Sequence, residues 1–131
     1  MKKKIFLLII ALLAFTNLAL AGGDYELKGF GPGSSDSELY EIYNKYIDSA
    51  EWVMRDDGIT LSIRPSGRLR FAPQPNMHEV WGAIYYVHST SRFWDNTDIM
   101  YKQFECHWNL AFWKPTWNLE PWKTSINGLC N

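Results

Sequence analysis

Residues 51–71 read EWVMRDDGITLSIRPSGRLRF, and the way this stretch turns back on itself decides the fold. Asp57-Gly58 is a strong two-residue hairpin signal, which would set Met54 opposite Leu61 and Trp52 opposite Ile63. Pro65-Ser66-Gly67 follows as a second turn. Treated as a three-residue loop, it sets Ile63 opposite Leu69 and Leu61 opposite Phe71. Treated as a two-residue turn at Ser66-Gly67, it sets Ile63 opposite Arg70 and splits the apolar set. Register follows the face that must be buried, so the three-residue loop is preferred. Trp52, Met54, Leu61, Ile63, Leu69 and Phe71 then share one face of a three-stranded antiparallel meander.

Helical patterns flank this segment. Leu39, Ile42, Tyr43, Tyr46 and Ile47 form one apolar stripe, so a helix is expected from Asp36 to about Ser49, with Ser35 and Glu38 as a capping box. Met77, Val80, Trp81, Ile84, Tyr85 and His88 form a second stripe, which predicts a helix from Met77 to about Ser89 after the start signal Asn76 and Glu79. Cys106, Trp108, Leu110 and Phe112 alternate with Glu105, His107, Asn109 and Ala111, which predicts a fourth strand from Glu105 to about Trp113. Ile99, Met100 and Phe104 point to a short helix before it, started by Thr97 or Asp98. The expected fold class is α+β: an antiparallel sheet, the meander plus a fourth strand, with two helices packed on one face.

The chain has 131 residues. Lys2-Lys3-Lys4, the apolar run Ile5 to Phe15 and Ala19-Leu20-Ala21 read as a signal peptide over residues 1–21. The run is short of the ~20 residues that span a bilayer, which disfavours an anchor. Removing 21 of 131 residues leaves 110, with ten basic and fourteen acidic side chains and a net charge of −4. That balance gives no bulk attraction to polyanions and counts against nucleic-acid binding. Glycine, proline and serine crowd residues 22–35, a flexible leader, and residues 36–131 form one compact domain. Cys106 and Cys130 are an isolated pair in an exported chain, and such a pair bonds. Periplasm or extracellular medium is the expected location.

The stretch from Tyr101 to Trp122, YKQFECHWNLAFWKPTWNLEPW, together with Cys130 resembles the domain-of-unknown-function 2599 family of exported bacterial proteins. The matching features are Cys106-His107 and the run Lys114-Pro115-Thr116-Trp117-Asn118-Leu119-Glu120-Pro121-Trp122. The resemblance implies export and a compact domain, and it carries no catalytic residue.

Three groups of residues are candidates for function. In the chosen register Arg64 faces Arg68, with Arg70 opposite Ser62 and Arg55 opposite Thr60. Like charges across a strand pair disfavour the sheet, and an anionic ligand would relieve them. The bland alternative is a solvated face, part-neutralised by Glu51 opposite Arg64. Glu105, His107 and Asn109 on one strand face would set a carboxylate beside an imidazole, the arrangement of a general base, with Glu120 as a second carboxylate. No nucleophile accompanies them. Trp108, Trp113, Trp117 and Trp122 form an aromatic set, of which Trp117 and Trp122 could bind a sugar or a partner or else close the core. His78, His88 and His107 lack two-histidine metal spacing, so no metal or cofactor is expected. His88 belongs to a core stripe, and His78 should face solvent.

The expected function is non-enzymatic binding of an extracytoplasmic protein, glycan or anionic ligand by Arg64, Arg68, Arg70, Trp117 and Trp122. The alternative is a secreted hydrolase or effector enzyme using His107 with Glu105 or Glu120. A structural envelope component is a third class.

Overall fold

The computed structural model describes residues 35–71 and 76–130. The elements follow in the order α1 (Asp36–Tyr46), β1 (Ile47–Arg55), β2 (Gly58–Pro65), α2 (Gly67–Phe71), α3 (Met77–His88), α4 (Thr97–Leu110) and β3 (Trp117–Leu119). The architecture is α+β, with an open antiparallel sheet in the order β1-β2-β3. The expected signal peptide, residues 1–21, and residues 22–34 of the expected leader lie outside the described residues.

The β1–β2 hairpin forms, but its turn lies one residue earlier than expected. Asp56 and Asp57 occupy it and Arg55 pairs with Gly58, so Met54 meets Ile59, Trp52 meets Leu61 and Ala50 meets Ile63. Every partner is displaced by two residues, which leaves each side chain on its expected face. Leu61 and Ile63 are accordingly fully buried. Neither aspartate has a positive φ, so this turn has no need of glycine at its second position. Glycine is required at residue 58 instead. Its φ is +151°, and a Cβ there would stand 2.5 Å from the indole Nε1 of Trp122. Met54 lies beyond the edge of the core and is 73% exposed.

The meander's third strand does not form, because residues 67–71 coil into the single turn α2. Ser66 explains the difference. Its hydroxyl accepts from the Leu69 amide at 3.3 Å, and its carbonyl accepts from the Leu69 and Arg70 amides, as at a helix start. Leu69 is still buried, but Phe71 points outward and is 71% exposed. The second neighbour of β2 is β3, with Leu61 opposite Leu119, Ser62 opposite Asn118 and Ile63 opposite Trp117.

The expected fourth strand, Glu105 to Trp113, is also absent. Residues up to Leu110 continue α4, which does begin at Thr97. Its buried residues are Ile99, Met100, Gln103, Phe104 and His107, a helical spacing in which two of the five core positions are polar. Asn96 precedes it in the left-handed region, at φ 47°, and the Trp94 indole donates to Thr97 Oγ1 at 2.9 Å.

The two expected flanking helices are present. Helix α1 ends at Tyr46, three residues early, because Ile47 to Ala50 join β1. It packs on α3 through Tyr43 against His88 and Tyr40 edge-on to Tyr86. The core joins Leu61 and Ile63 of β2, Trp117 and Leu119 of β3, Val80, Trp81 and Ile84 of α3, and Met100 and Phe104 of α4. Trp94, Trp81, Phe104 and Trp117 meet in succession through it at centroid distances of 5.5–5.8 Å.

Residues 111–130 contain only the three residues of β3 as regular structure, yet they are held at many points. The Cys106–Cys130 disulfide joins the end of this tail to α4. Asn96 Nδ2 donates to the Lys123 carbonyl at 2.8 Å, and Lys114 Nζ donates to the Leu129 carbonyl at 2.8 Å. Gln103 Oε1 accepts from the Glu120 amide at 2.7 Å.

Candidate binding surface

A helical α4 separates the residues expected to form a catalytic row. Glu105 and His107 are two apart, and on a helix such neighbours point in different directions. His107 is fully buried, and its ring stacks on the Trp117 indole at 5.9 Å and 8°. Glu120 is 3% exposed and its carboxylate pairs with Lys123 Nζ at 2.9 Å. A general base must come within hydrogen-bond reach of a substrate proton, and among the described residues His107 presents no surface to solvent. Gln103, one turn before His107, is the buried polar residue missed in the sequence. Only its four-residue spacing from His107 on the core face would have marked it.

The other two histidines lie apart from this site. His88 Nε2 and the Tyr43 hydroxyl are 2.8 Å apart in a half-buried contact between α1 and α3. Burial holds the His88 imidazole below its ordinary pKa and pushes the Tyr43 phenol up. His78 is exposed and stacks on Tyr101, whose phenol is raised by burial and then by the Glu105 carboxylate.

The arginines also part company once residues 67–71 are helical. Arg64 lies opposite Ser49 at the end of β2, and Arg68 is exposed on α2. Arg70 folds under the tail. Its Nε donates to the Pro65 carbonyl at 3.1 Å, Nη1 to the carbonyls of Phe112, at 2.9 Å, and Lys114, and Nη2 to the Pro115 carbonyl at 2.7 Å. Burial lowers the guanidinium's pKa most, Asp48 pulls it back up, and Arg64 lowers it again. No aligned pair of Arg64 and Arg68 faces across a sheet.

What this clamp supports is a row of exposed aromatic rings. Phe71 meets Phe112 edge to face at 6.4 Å, and Phe112 meets Trp113 edge to face at 5.5 Å. Phe71 is 71%, Phe112 39% and Trp113 56% exposed. Arg68 lies one turn from Phe71 on α2, on the same side of that turn. Phe71 was expected in the core face of a strand. Phe112 was expected on the apolar face of the fourth strand and Trp113 in the aromatic set; both lie instead in the turn that follows α4.

Trp117 and Trp122 are divided between inside and outside. Trp117 is fully buried between His107 and Phe104, while Trp122 is 42% exposed. The Trp122 ring covers Gly58 and has Lys123 Nζ 5.5 Å from its centroid. Gly58 and Pro65 are the two ends of β2, so Trp122 and the aromatic row near Arg70 are separated by about 20 Å of strand.

A family model described as protein of unknown function (DUF2599) matches residues 47–129. No curated protein and no solved structure matches the chain. The matched region begins at β1 and runs through the sheet, α4 and nearly all of the tail, which is well over half of the sequence. The chain therefore belongs to the DUF2599 family of proteins of unknown function.

Proposed function

We propose that this protein is an exported, disulfide-stapled binding domain whose ligand-facing surface is the row Phe71, Phe112 and Trp113 with Arg68 beside it. The observation that carries this reading is three exposed rings in successive edge contact, Phe71 on Phe112 and Phe112 on Trp113, over a backbone held by Arg70. Contiguous exposed apolar surface marks interaction sites, and a fixed backbone beneath it lowers the ordering cost of binding. Rings that meet edge to face form ridges and clefts. Such relief suits a protein's apolar side chains better than the flat face of a sugar ring. The Arg68 guanidinium beside it favours a partner segment with a carboxylate next to its apolar residue.

The Cys106–Cys130 disulfide is compatible with an oxidising compartment, periplasmic or extracellular. No helix among the described residues is long and apolar enough to cross a membrane. The buried position of His107 lends the hydrolase reading no support. Arg64, Arg70, Trp117 and Trp122 enter this proposal differently from Arg68. Arg64 adds positive charge near the clamp, Arg70 and Trp117 support the surface from within, and Trp122 lies at the far end of β2.

A photo-crosslinking side chain at residue 113, introduced in producing cells, should capture an extracytoplasmic protein. Its affinity for the purified domain should then fall at least about tenfold in Phe71→Ala/Trp113→Ala and in Arg68→Glu, at unchanged melting temperature. Undiminished affinity in both variants, or a glycan as the captured species, overturns the proposal.

A further inference from the structure

The open edge of β1 carries a second interaction surface, independent of the aromatic row. Arg55 and Gly58 close a two-residue hairpin, and such a closing pair exchanges both of its backbone hydrogen bonds. Alternation then turns the N–H and C=O groups of Glu51, Val53 and Arg55 toward β2, and those of Ala50, Trp52 and Met54 toward the free edge. None of these outward groups takes part in a hydrogen bond among the described residues. Exposed edges are normally blunted by bulges, prolines or charges. Here the irregularity between Ile47 and Ser49 breaks the start of the strand, and residues 50–55 carry no bulge and no proline, their only charges being Glu51 and Arg55.

We propose that this edge pairs with the same edge of a second copy of the chain, antiparallel about a two-fold axis at Val53. Glu51 then lies opposite the partner's Arg55, Trp52 opposite the partner's Met54, and each pair occurs twice. Trp52 and Met54 exchange the backbone hydrogen bonds, and Val53 is the non-bonded pair on the axis. Charge selects this register from its neighbours. An axis at Glu51 sets two Glu51 carboxylates face to face, one at Trp52 sets Asp48 opposite Asp56, and one at Met54 sets Glu51 opposite Asp57. Met54, 73% exposed in the single chain, gains the partner's Trp52 on the core side of a continuous six-stranded sheet. In the single chain Arg55 reaches across β2 and donates from Nη2 to Asn118 Oδ1 at 3.1 Å, so pairing with the partner's Glu51 requires this exposed side chain to leave Asn118 and swing to the free edge. Pairing over five residues gives a small interface of the weak, concentration-dependent kind.

The test is sedimentation equilibrium of the full exported chain, disulfide intact, over a concentration series. Wild type should self-associate. Glu51→Arg and Arg55→Glu each create like-charge pairs across the axis and should raise the dimer Kd at least about tenfold. The double variant Glu51→Arg/Arg55→Glu reverses both charges and should return it to within about threefold of wild type. Asn118→Ala, which removes only the in-chain acceptor of Arg55, should leave the dimer intact. As a check that does not depend on charge, Val53→Cys should form a disulfide-linked dimer, since Cα atoms of a non-bonded pair stand about 4.5 Å apart. A chain that stays monomeric to millimolar concentration, singles without effect, a double that does not recover, or Val53→Cys that never cross-links would each overturn the proposal.

Discussion

Arg70 donates from Nη1 to the main-chain carbonyl of Phe112, 42 residues away in sequence, at 2.9 Å. The same guanidinium also binds the carbonyls of Pro65, Lys114 and Pro115, so one side chain ties the end of β2 to the start of the tail. A planar fork with fixed donors can do this, and a single ammonium cannot. Arg70→Lys should therefore behave nearly as badly as Arg70→Met. Each is expected to lose about 2–3 kcal/mol of stability, a net figure for several charge-assisted bonds that are partly open to water. Urea unfolding midpoints measure this. A lysine variant as stable as wild type would show that the fork geometry is irrelevant.

Gly58→Ala tests the contact at the other end of β2. The new methyl meets the Trp122 indole well inside contact distance, and φ +151° is strained for alanine. The expected cost is about 2–3 kcal/mol, part steric and part backbone. Repeating the substitution in a Trp122→Ala background removes the steric part, so the cost should shrink to about 1 kcal/mol. Equal costs in both backgrounds would mean that the ring does not rest on residue 58.

How much of this was legible in the sequence depends on which physical rule governed each segment. The two flanking helices were readable because Leu39, Tyr43 and Tyr46, and Val80, Trp81 and Ile84, keep a strict helical period. The inward faces of Leu61 and Ile63 were readable too, since a register error of two residues preserves facing. Residues 67–71 were misread because Ser66 is both a turn residue and a helix cap, and the cap prevailed. Residues 105–110 were misread because Gln103 and His107 are polar residues at core positions. They fit there because Gln103 takes the Glu120 amide and His107 stacks on Trp117, long-range partners that no local window contains. The aromatic row was hidden for the same reason, as Phe71 meets Phe112 only after Arg70 has drawn the tail across.

The contact between His88 and Tyr43 sets an acid limit on stability. Burial lowers the His88 pKa in the folded protein, whereas the unfolded chain takes up its proton at about 6.5. Between the lowered value and 6.5 the unfolded state binds more protons, so stability falls as pH drops through that window. Above it, the contribution of this residue is flat. Unfolding midpoints measured from pH 7.5 to 5 should decline in wild type and decline less in His88→Gln. Parallel curves for the two proteins would remove His88 as the source.

His107 separates a structural from a catalytic role. Its side chain is fully buried and lies parallel to the Trp117 indole, so truncation opens a cavity between α4 and β3. His107→Ala should cost about 2–4 kcal/mol, the range for removing a buried ring. The loss should couple to Trp117, so that the double variant with Trp117→Phe costs less than the two singles added together. Substitution of Glu105, which is part-exposed and points elsewhere on the helix, should be nearly silent. A catalytic pair predicts the reverse: an unchanged melting temperature for His107→Ala and a shared loss of turnover with Glu105→Gln. Thermal unfolding of these variants distinguishes the cases without knowledge of any substrate. A fully stable His107→Ala would mean that the imidazole is not packed beneath Trp117, and only then would its chemistry be open to a ligand.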